Sequence, residues 1–302
     1  MMAEPPPSAS ADAPASGFYN LDKPVGVTSM DALRHIQRAF RRGGGARHRI
    51  GHAGTLDPLA SGVLPIAVGA ATRTLSLVQA SEKTYRFTVA WGAETSTDDA
   101  EGEPVATSPH RPDAASLAAL PARFGGVQQQ IPPAFSALHV QGQRAYQLAR
   151  AGQMPAFAPR RIEIFALSLL QAERDSATWR VRCSKGTYVR ALARDMARAL
   201  GTCGHVLALR REEVGGFTLA SAVRWQDFED APLPPLRPLA EVLSVRQLAL
   251  PEHAARAVRH GQAVEAGAGG ESAAVVLALA AGAPLALGRL DAGRFIPQRL
   301  LT

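Results

Sequence analysis

Residues Tyr85 to Trp91 alternate without a break: Tyr85, Phe87, Val89 and Trp91 are apolar, while Arg86, Thr88 and Ala90 are polar or small. Only a β-strand sends i and i+2 to one face, so this segment predicts a strand with one side buried, and hence a sheet with something packed on it. WRVRCS repeats the pattern, with Trp179, Val181 and Cys183 on one side and Arg180, Arg182 and Ser184 on the other. VLPIAV reads as a fully buried strand. Helices supply the cover. In TSMDALRHIQRAF, Thr28 or Ser29 can cap a helix whose Leu33, Ile36 and Phe40 share a face, and Gly43, Gly44 and Gly45 end it. After a turn at Gly186, Val189, Leu192, Met196 and Leu200 form a second apolar helical face. Strands with helices packed on them place the chain in the α+β class.

A Pro-led loop and a helical pattern, QQQIPPAFSALHVQGQRAYQLARAGQMP, read as an insertion over about 128–160, ending near Gly152. The run APLPPLRPL at 231–239 is a linker candidate, because Pro resists both helix and central strand. It would separate a first domain, 17–240, from a second, 243–302. There, turn signals at Gly267 to Gly270, Ala281 to Pro284 and Asp291 to Gly293 predict a small β-barrel or meander. The first 16 residues contain 12 Ala, Pro or Ser and read as a disordered tail with no signal-peptide pattern.

Lys and Arg outnumber Asp and Glu by 33 to 26, giving a net charge of +7 that favours polyanionic partners. The apolar run from Ala273 is broken by Gly282 and Pro284, short of the roughly 20 residues a spanning helix needs, which argues against membrane insertion. Two cysteines cannot build a disulfide framework or a cysteine zinc site, and suit a reducing cytoplasm. No phosphate-cradling GxxxxGK[ST] or GxGxxG is present and the eight histidines lack ligand spacing, so no nucleotide cofactor or metal is expected. Six arginines and no acid lie between Arg34 and Arg49. Arg190, Arg194 and Arg198 form a stripe on the second helix, and from Arg180 to Arg211 eight basic residues face one acid, Asp195. Such a stripe is either a solvated face or a phosphate-binding surface, and the imbalance favours phosphate.

One acid stands out. In GHAGTLDPLASGVLPIAVGAATR, residues 51–73, Asp57 sits in a Gly-rich loop with no second carboxylate beside it. Next to Pro58, its ordinary role is an Asx-turn or a cap on nearby backbone N–H groups. A chemical role needs partners from elsewhere in the chain.

Four motifs in order supply a resemblance: GHAGTLDPLASGVLPIAVGAATR, TSTDDAEG, IPPAFSALHVQGQRAYQLAR and CSKGTYVRALARDMARALG. With FYNLDKPVGVTS and GRFIPQRLL they make the chain resemble, over nearly all its length, the TruB family of bacterial tRNA pseudouridine synthases. The resemblance implies a mixed, largely antiparallel sheet with flanking helices and a small C-terminal β-rich PUA-like domain. It also implies isomerisation of the uridine at tRNA position 55, with no cofactor. Tied to the T-arm of tRNA, such an enzyme is expected to be cytoplasmic, off the membrane, and a monomer with no obligatory protein partner.

Residue by residue, Asp57 matches the family's catalytic nucleophile and Arg190 the arginine that holds it, where a guanidinium fork can grip a carboxylate at two points. Tyr85 matches the tyrosine against the target base, and Tyr188 and Leu209 line the same pocket. His52 matches the histidine that enters the T-loop where the flipped base leaves the stack, and Asp99 an acid near the cleft. Lys83, His139 and Arg144 complete the expected substrate contacts. The insertion corresponds to an RNA-gripping thumb. Two positions depart from the family pattern: His139 stands where Lys is common, and Phe135 where Tyr is common.

Overall fold

The computed structural model describes residues 16–42, 48–136, 138–140, 143–144, 148, 153, 157–230, 232–266 and 272–301. The N-terminal tail, Gly43 to Gly45, Gly267 to Gly270 and most of the helical pattern ending near Gly152 lie outside them. The predicted strands enter one large sheet. It takes β1 (Gly17–Lys23), β2 (Ile50–His52), β3 (Ala60–Val68) and β4 (Lys83–Trp91). After a hairpin of β5 (Ala93–Thr95) and β6 (Pro104–Thr107) comes β7 (Gly126–Gln130), and a second hairpin pairs β8 (His139–Val140) with β9 (Gln143–Arg144). The sheet is completed by β10 (Arg160–Ala172), β11 (Ser176–Cys183), β12 (Gly204–Val214), β13 (Phe217–Thr218) and β14 (Val223–Arg224). Its order is β14-β1-β3-β12-β4-β11-β10-β7, with β2 and β13 at the side, and only the β1/β14 and β3/β12 pairs are parallel.

The period-two pattern decides which face is covered. Tyr85, Phe87, Val89, Trp91, Trp179, Val181 and Cys183 enter one core with residues of α1 (Ser29–Arg42), α3 (Ala114–Phe124) and α4 (Val189–Ala199), while Arg86, Arg180 and Arg182 stay exposed on the other face. Each large side chain so buried contributes about 1.5–3 kcal/mol. The short α2 (Leu75–Ala80) lies between β3 and β4. Of the two candidate caps of α1, Thr28 is the one used: its hydroxyl accepts from the Asp31 N–H at 3.1 Å, and the Asp31 carboxylate accepts from the Thr28 N–H at 3.1 Å. Ser29 spends its hydroxyl elsewhere.

The proline-rich run is not a free linker. Phe18 and Arg237 exchange both backbone hydrogen bonds, at 2.9 and 2.8 Å, and Leu233 and Leu236 pack against the core. Prolines remove donors, but the Arg237 N–H between them still pairs with β1. Beyond α5 (Leu239–Val242), the second sheet runs β15 (Arg246–Leu250), β17 (Ala273–Ala280), β18 (Ala283–Asp291), β19 (Arg294–Leu300), β16 (Val264–Glu265), with α6 (Glu252–Arg259) packed on it. Positive φ at Ala281 and Gly282, and again at Ala292 and Gly293, gives the two-residue hairpin turns that match strand twist. The apolar run from Ala273 is therefore two strands, and no helix among the described residues is long and apolar enough to cross a membrane. Leu277 and Leu287 of this sheet, with Leu301 beyond it, share a core with Ala71 and Val78 of the helical segment between β3 and β4.

Candidate active site

The loop between β2 and β3 is held from three directions. Leu56 exchanges two hydrogen bonds with the Ser29 hydroxyl at the start of α1, at 2.9 and 3.1 Å, and the Pro58 carbonyl accepts from Gly26 N–H at 2.8 Å. The Gly54 carbonyl accepts from Arg211 Nη2 at 3.0 Å. Gly54 has φ +92°, and at Gly62, φ +101°, a Cβ would stand 2.2 Å from the Arg211 carbonyl, so the close approach of β3 to β12 requires glycine. Between these anchors Asp57 lines a pocket of about 320 Å³ with Tyr85, Tyr188, Arg190 and Leu209.

Its carboxylate does not serve an Asx-turn. Oδ2 accepts from Arg190 Nε at 2.9 Å, a partner 133 residues away in sequence. The fork does not grip Asp57 at two points, however. Arg190 Nη1 donates to the Thr97 carbonyl at 2.7 Å and Nη2 to the Phe135 carbonyl at 2.9 Å, so the other two nitrogens fix backbone. Asp99 Oδ2 lies 3.5 Å from the same Nε. Asp99 does not line the pocket; its other oxygen accepts from Thr97 Oγ1 and from Glu101 N–H, so it orders its own turn and faces Arg190 at once. Arg190 is 5% exposed and Asp57 35%, so the cation is buried behind an anion that reaches the pocket.

The rest of the arginine stripe is paired too, Arg194 in the interior and Arg198 at the surface. Arg194 binds Asp98 and Asp195, each at 3.0 Å, and Arg198 pairs with Glu94. Further along, Arg180 meets Glu212 at 2.7 Å, Arg182 meets Glu82 at 2.6 Å and Arg210 meets Asp22 at 2.7 Å. The eight-to-one imbalance holds in sequence and shrinks in space, because acids on other elements meet six of the eight, while Arg211 donates to carbonyls.

Tyr85 belongs to the core and to the pocket wall, and burial pushes its phenol above the ordinary value against the opposing Arg211 guanidinium. Lys83 also lines the pocket; its Nζ donates to the carbonyls of Gln79 and Ser81, both at 2.5 Å, and burial lowers it to about 8. His52 stands on β2 outside the pocket lining, with Nδ1 buried and unpartnered among the described residues, and burial followed by the Arg211 charge lowers its pKa. Tyr188 precedes α4, its backbone held by the Gln130 side chain through bonds of 2.9 and 3.1 Å, with the Arg160 guanidinium 5.8 Å from its ring centroid. Leu209 on β12 pairs with Ala60 and Phe87 and completes the wall. His139 and Arg144 are cross-strand partners in the β8/β9 hairpin.

The comparisons with known proteins match this arrangement. The TruB family pseudouridylate synthase N-terminal domain matches residues 41–189, the tRNA pseudouridylate synthase B C-terminal domain 190–243, and the pseudouridine synthase II TruB C-terminal region 247–301. A tRNA pseudouridine synthase B of Rhodopseudomonas palustris is 44% identical over 298 residues, 94% of this chain and 80% of that protein. The chain belongs to the TruB family. It is thereby a pseudouridine synthase, an isomerase. A second TruB relative, from Caulobacter vibrioides, is 51% identical over 217 residues, 71% of this chain and 68% of its own. Among solved structures, a chain of a Cbf5-Nop10-Gar1 complex aligns with a TM-score of 0.70 at 22% identity, covering 95% of this chain and 85% of that one. A chain of an H/ACA RNP bound to a substrate RNA containing 2'-deoxyuridine gives 0.69 at 21%, with the same coverage. At such identity these two show the fold alone.

Three pocket groups of this TruB chain escape sequence reasoning. Arg211 is fully buried and donates to the Val63 carbonyl at 2.7 Å as well as to Gly54. Lys23, also fully buried, donates to Pro24, Val27 and Pro58 carbonyls at 2.9, 2.7 and 3.5 Å; burial lowers it to about 8 against the pull of Asp57. Ser136 presents a buried hydroxyl in the pocket wall with no partner among the described residues. A signal existed for the lysine: the chain has only three, Lys23, Lys83 and Lys185, and all lie at or beside the pocket. A compact ammonium donating to converging carbonyls has no arginine substitute.

Proposed function

We propose that the chain isomerises uridine 55 in the T-loop of tRNA to pseudouridine, with the base flipped into this pocket and Asp57 as nucleophile. The relatives' activity on tRNA supports the substrate class. The observation that carries the mechanism is the single grip of Arg190 Nε on Asp57 Oδ2 at 2.9 Å, which leaves Oδ1 without a protein partner among the described residues. That oxygen adds to C6 of the uracil or to C1′ of the sugar. On either route the N1–C1′ bond breaks, the uracil turns, and a C5–C1′ bond forms as the carboxylate departs. C5 loses a proton and N1 gains one, so atoms and electrons balance without an oxidant.

Flipping a nucleotide costs a few kcal/mol, which contacts around the vacated stack must offset. Tyr85 and Tyr188 offer flat rings to the base. Since Arg190 and Arg194 are consumed in the interior and Arg198 is paired with Glu94, phosphate contacts fall to exposed groups such as Arg38 and Arg41 of α1 and Lys185.

The test is base-resolved mapping of pseudouridine after incubating the protein, without metal or nucleotide, with an unmodified tRNA transcript. Conversion confined to position 55, abolished in Asp57→Asn with tRNA binding retained, is the expected result. Conversion by Asp57→Asn, or at another position only, would overturn the reading.

A further inference from the structure

Arg190 and Arg194 make parallel sets of bonds one helical turn apart. Arg190 reaches the Thr97 carbonyl in the β5/β6 turn and the Phe135 carbonyl at the root of the insertion. Arg194 reaches the Asp98 carboxylate in that same turn, through Nη1 at 3.0 Å, and the Ile131 carbonyl at that same root, through Nη2 at 2.9 Å; its Nε is held by Asp195 at 3.0 Å. Residues i and i+4 share a helix face, so the two guanidiniums form a double rung between two segments that are otherwise distant in sequence. Arg194 touches neither Asp57 nor the pocket lining.

We propose that Arg194 and Asp98 are positioning residues: a second clamp that fixes the 97–99 turn and the 131–135 root on α4, and so sets the aim of Arg190 on Asp57. Two further observations support the assignment. Asp98 holds φ +60°, a conformation uncommon outside glycine that persists where surroundings over-determine it. Burial outweighs the Arg194 charge at Asp98 and raises its carboxyl to about 6, and a buried ion pair is by itself weak evidence of a stabilising role. The root that Arg194 holds at Ile131 leads into the pocket wall, because Ser136 of the wall lies five residues further along the chain.

The inference rests on the tRNA-isomerising reading, and its test separates the two. Wild type, Asp98→Asn, Arg194→Met and the double variant are compared in single-turnover conversion of a tRNA transcript, with tRNA Kd and thermal unfolding measured alongside. Absence of conversion by wild type overturns the proposed function. With wild type active, the clamp predicts a roughly tenfold or greater loss of single-turnover rate in each single variant, Kd within about twofold, and a double variant no slower than the worse single, since groups acting as a unit are not additive. Asp98→Asn preserves shape and tolerates positive φ, so it reports on position even where Arg194→Met fails to fold. Wild-type rate in a folded Asp98→Asn, or losses that multiply in the double variant, would overturn the clamp.

Discussion

The two sheets of this TruB protein handle charge in opposite ways. Around the first, Lys23, Lys83, Asp98, Asp99, Arg190, Arg194 and Arg211 are all buried, and each spends its polar atoms on a carbonyl or an opposite charge. Around the second, every described ion pair lies at the surface: Glu252 with Arg256 and Arg259, Arg289 with Asp291, Arg294 with Glu265. Its core holds Leu250, Ala255, Val258, Val276 and Phe295, with no buried charged residue among those described. Burying charge costs several kcal/mol per ion before pairing repays any of it. A fold that needs only stability keeps its interior apolar, as the second sheet does. The first sheet carries that cost where a carboxylate must be aimed.

The contrast can be broken most forcefully at Arg190. Arg190→Met leaves Asp99 buried without its cation and frees the Thr97 and Phe135 carbonyls. The expected loss is about 3–5 kcal/mol in urea-unfolding free energy, together with loss of conversion. A variant as stable as wild type would show that the buried network is not coupled to the fold.

Asp98 sharpens the comparison through pH. Its carboxyl, facing Arg194, Arg190, Glu94 and Arg198, is raised to about 6 by burial. Between its unfolded value and 6 the folded protein therefore binds more protons than the unfolded one. That contribution to stability is present at low pH and lost as pH rises through 6. Relative to Asp98→Asn, wild type should lose about 2–3 kcal/mol in unfolding free energy between pH 4 and pH 7. A difference that stays flat across that range, measured by urea unfolding of both proteins, would place the charge cost elsewhere.

The smallest effect belongs to the second sheet. Glu252→Gln removes the exposed pairs to Arg256 and Arg259, and surface pairs are worth about 0–1 kcal/mol. Unfolding free energy should change by less than about 1 kcal/mol, with conversion unchanged, in the same two assays.

Much of this architecture was written in local pattern. The alternation at Tyr85 to Trp91 and at Trp179 to Cys183 placed two central strands and their buried faces, since side-chain direction follows from backbone period. The helix from Ser29 and the helix of Leu192 and Met196 were legible in the same way. Asp57, Tyr85 and Arg190 stood out by resemblance, not by period, and the structure brings them to one pocket with Tyr188 and Leu209.

What faced those elements was not legible. Periodicity said that Arg190, Arg194 and Arg198 share a helix face, but their acids, Asp57, Asp99, Asp98 and Glu94, lie 91 to 133 residues earlier, so a stripe fit for phosphate became a row of ion pairs. Nothing in the sequence pattern marked Lys23 or Arg211 as buried until the sheet brought carbonyls to meet them, and the proline run looked free until Phe18 paired with it. Backbone geometry is local, so a sequence by itself fixes elements and faces. Which charge meets which is a through-space matter, and only the tertiary structure decides it.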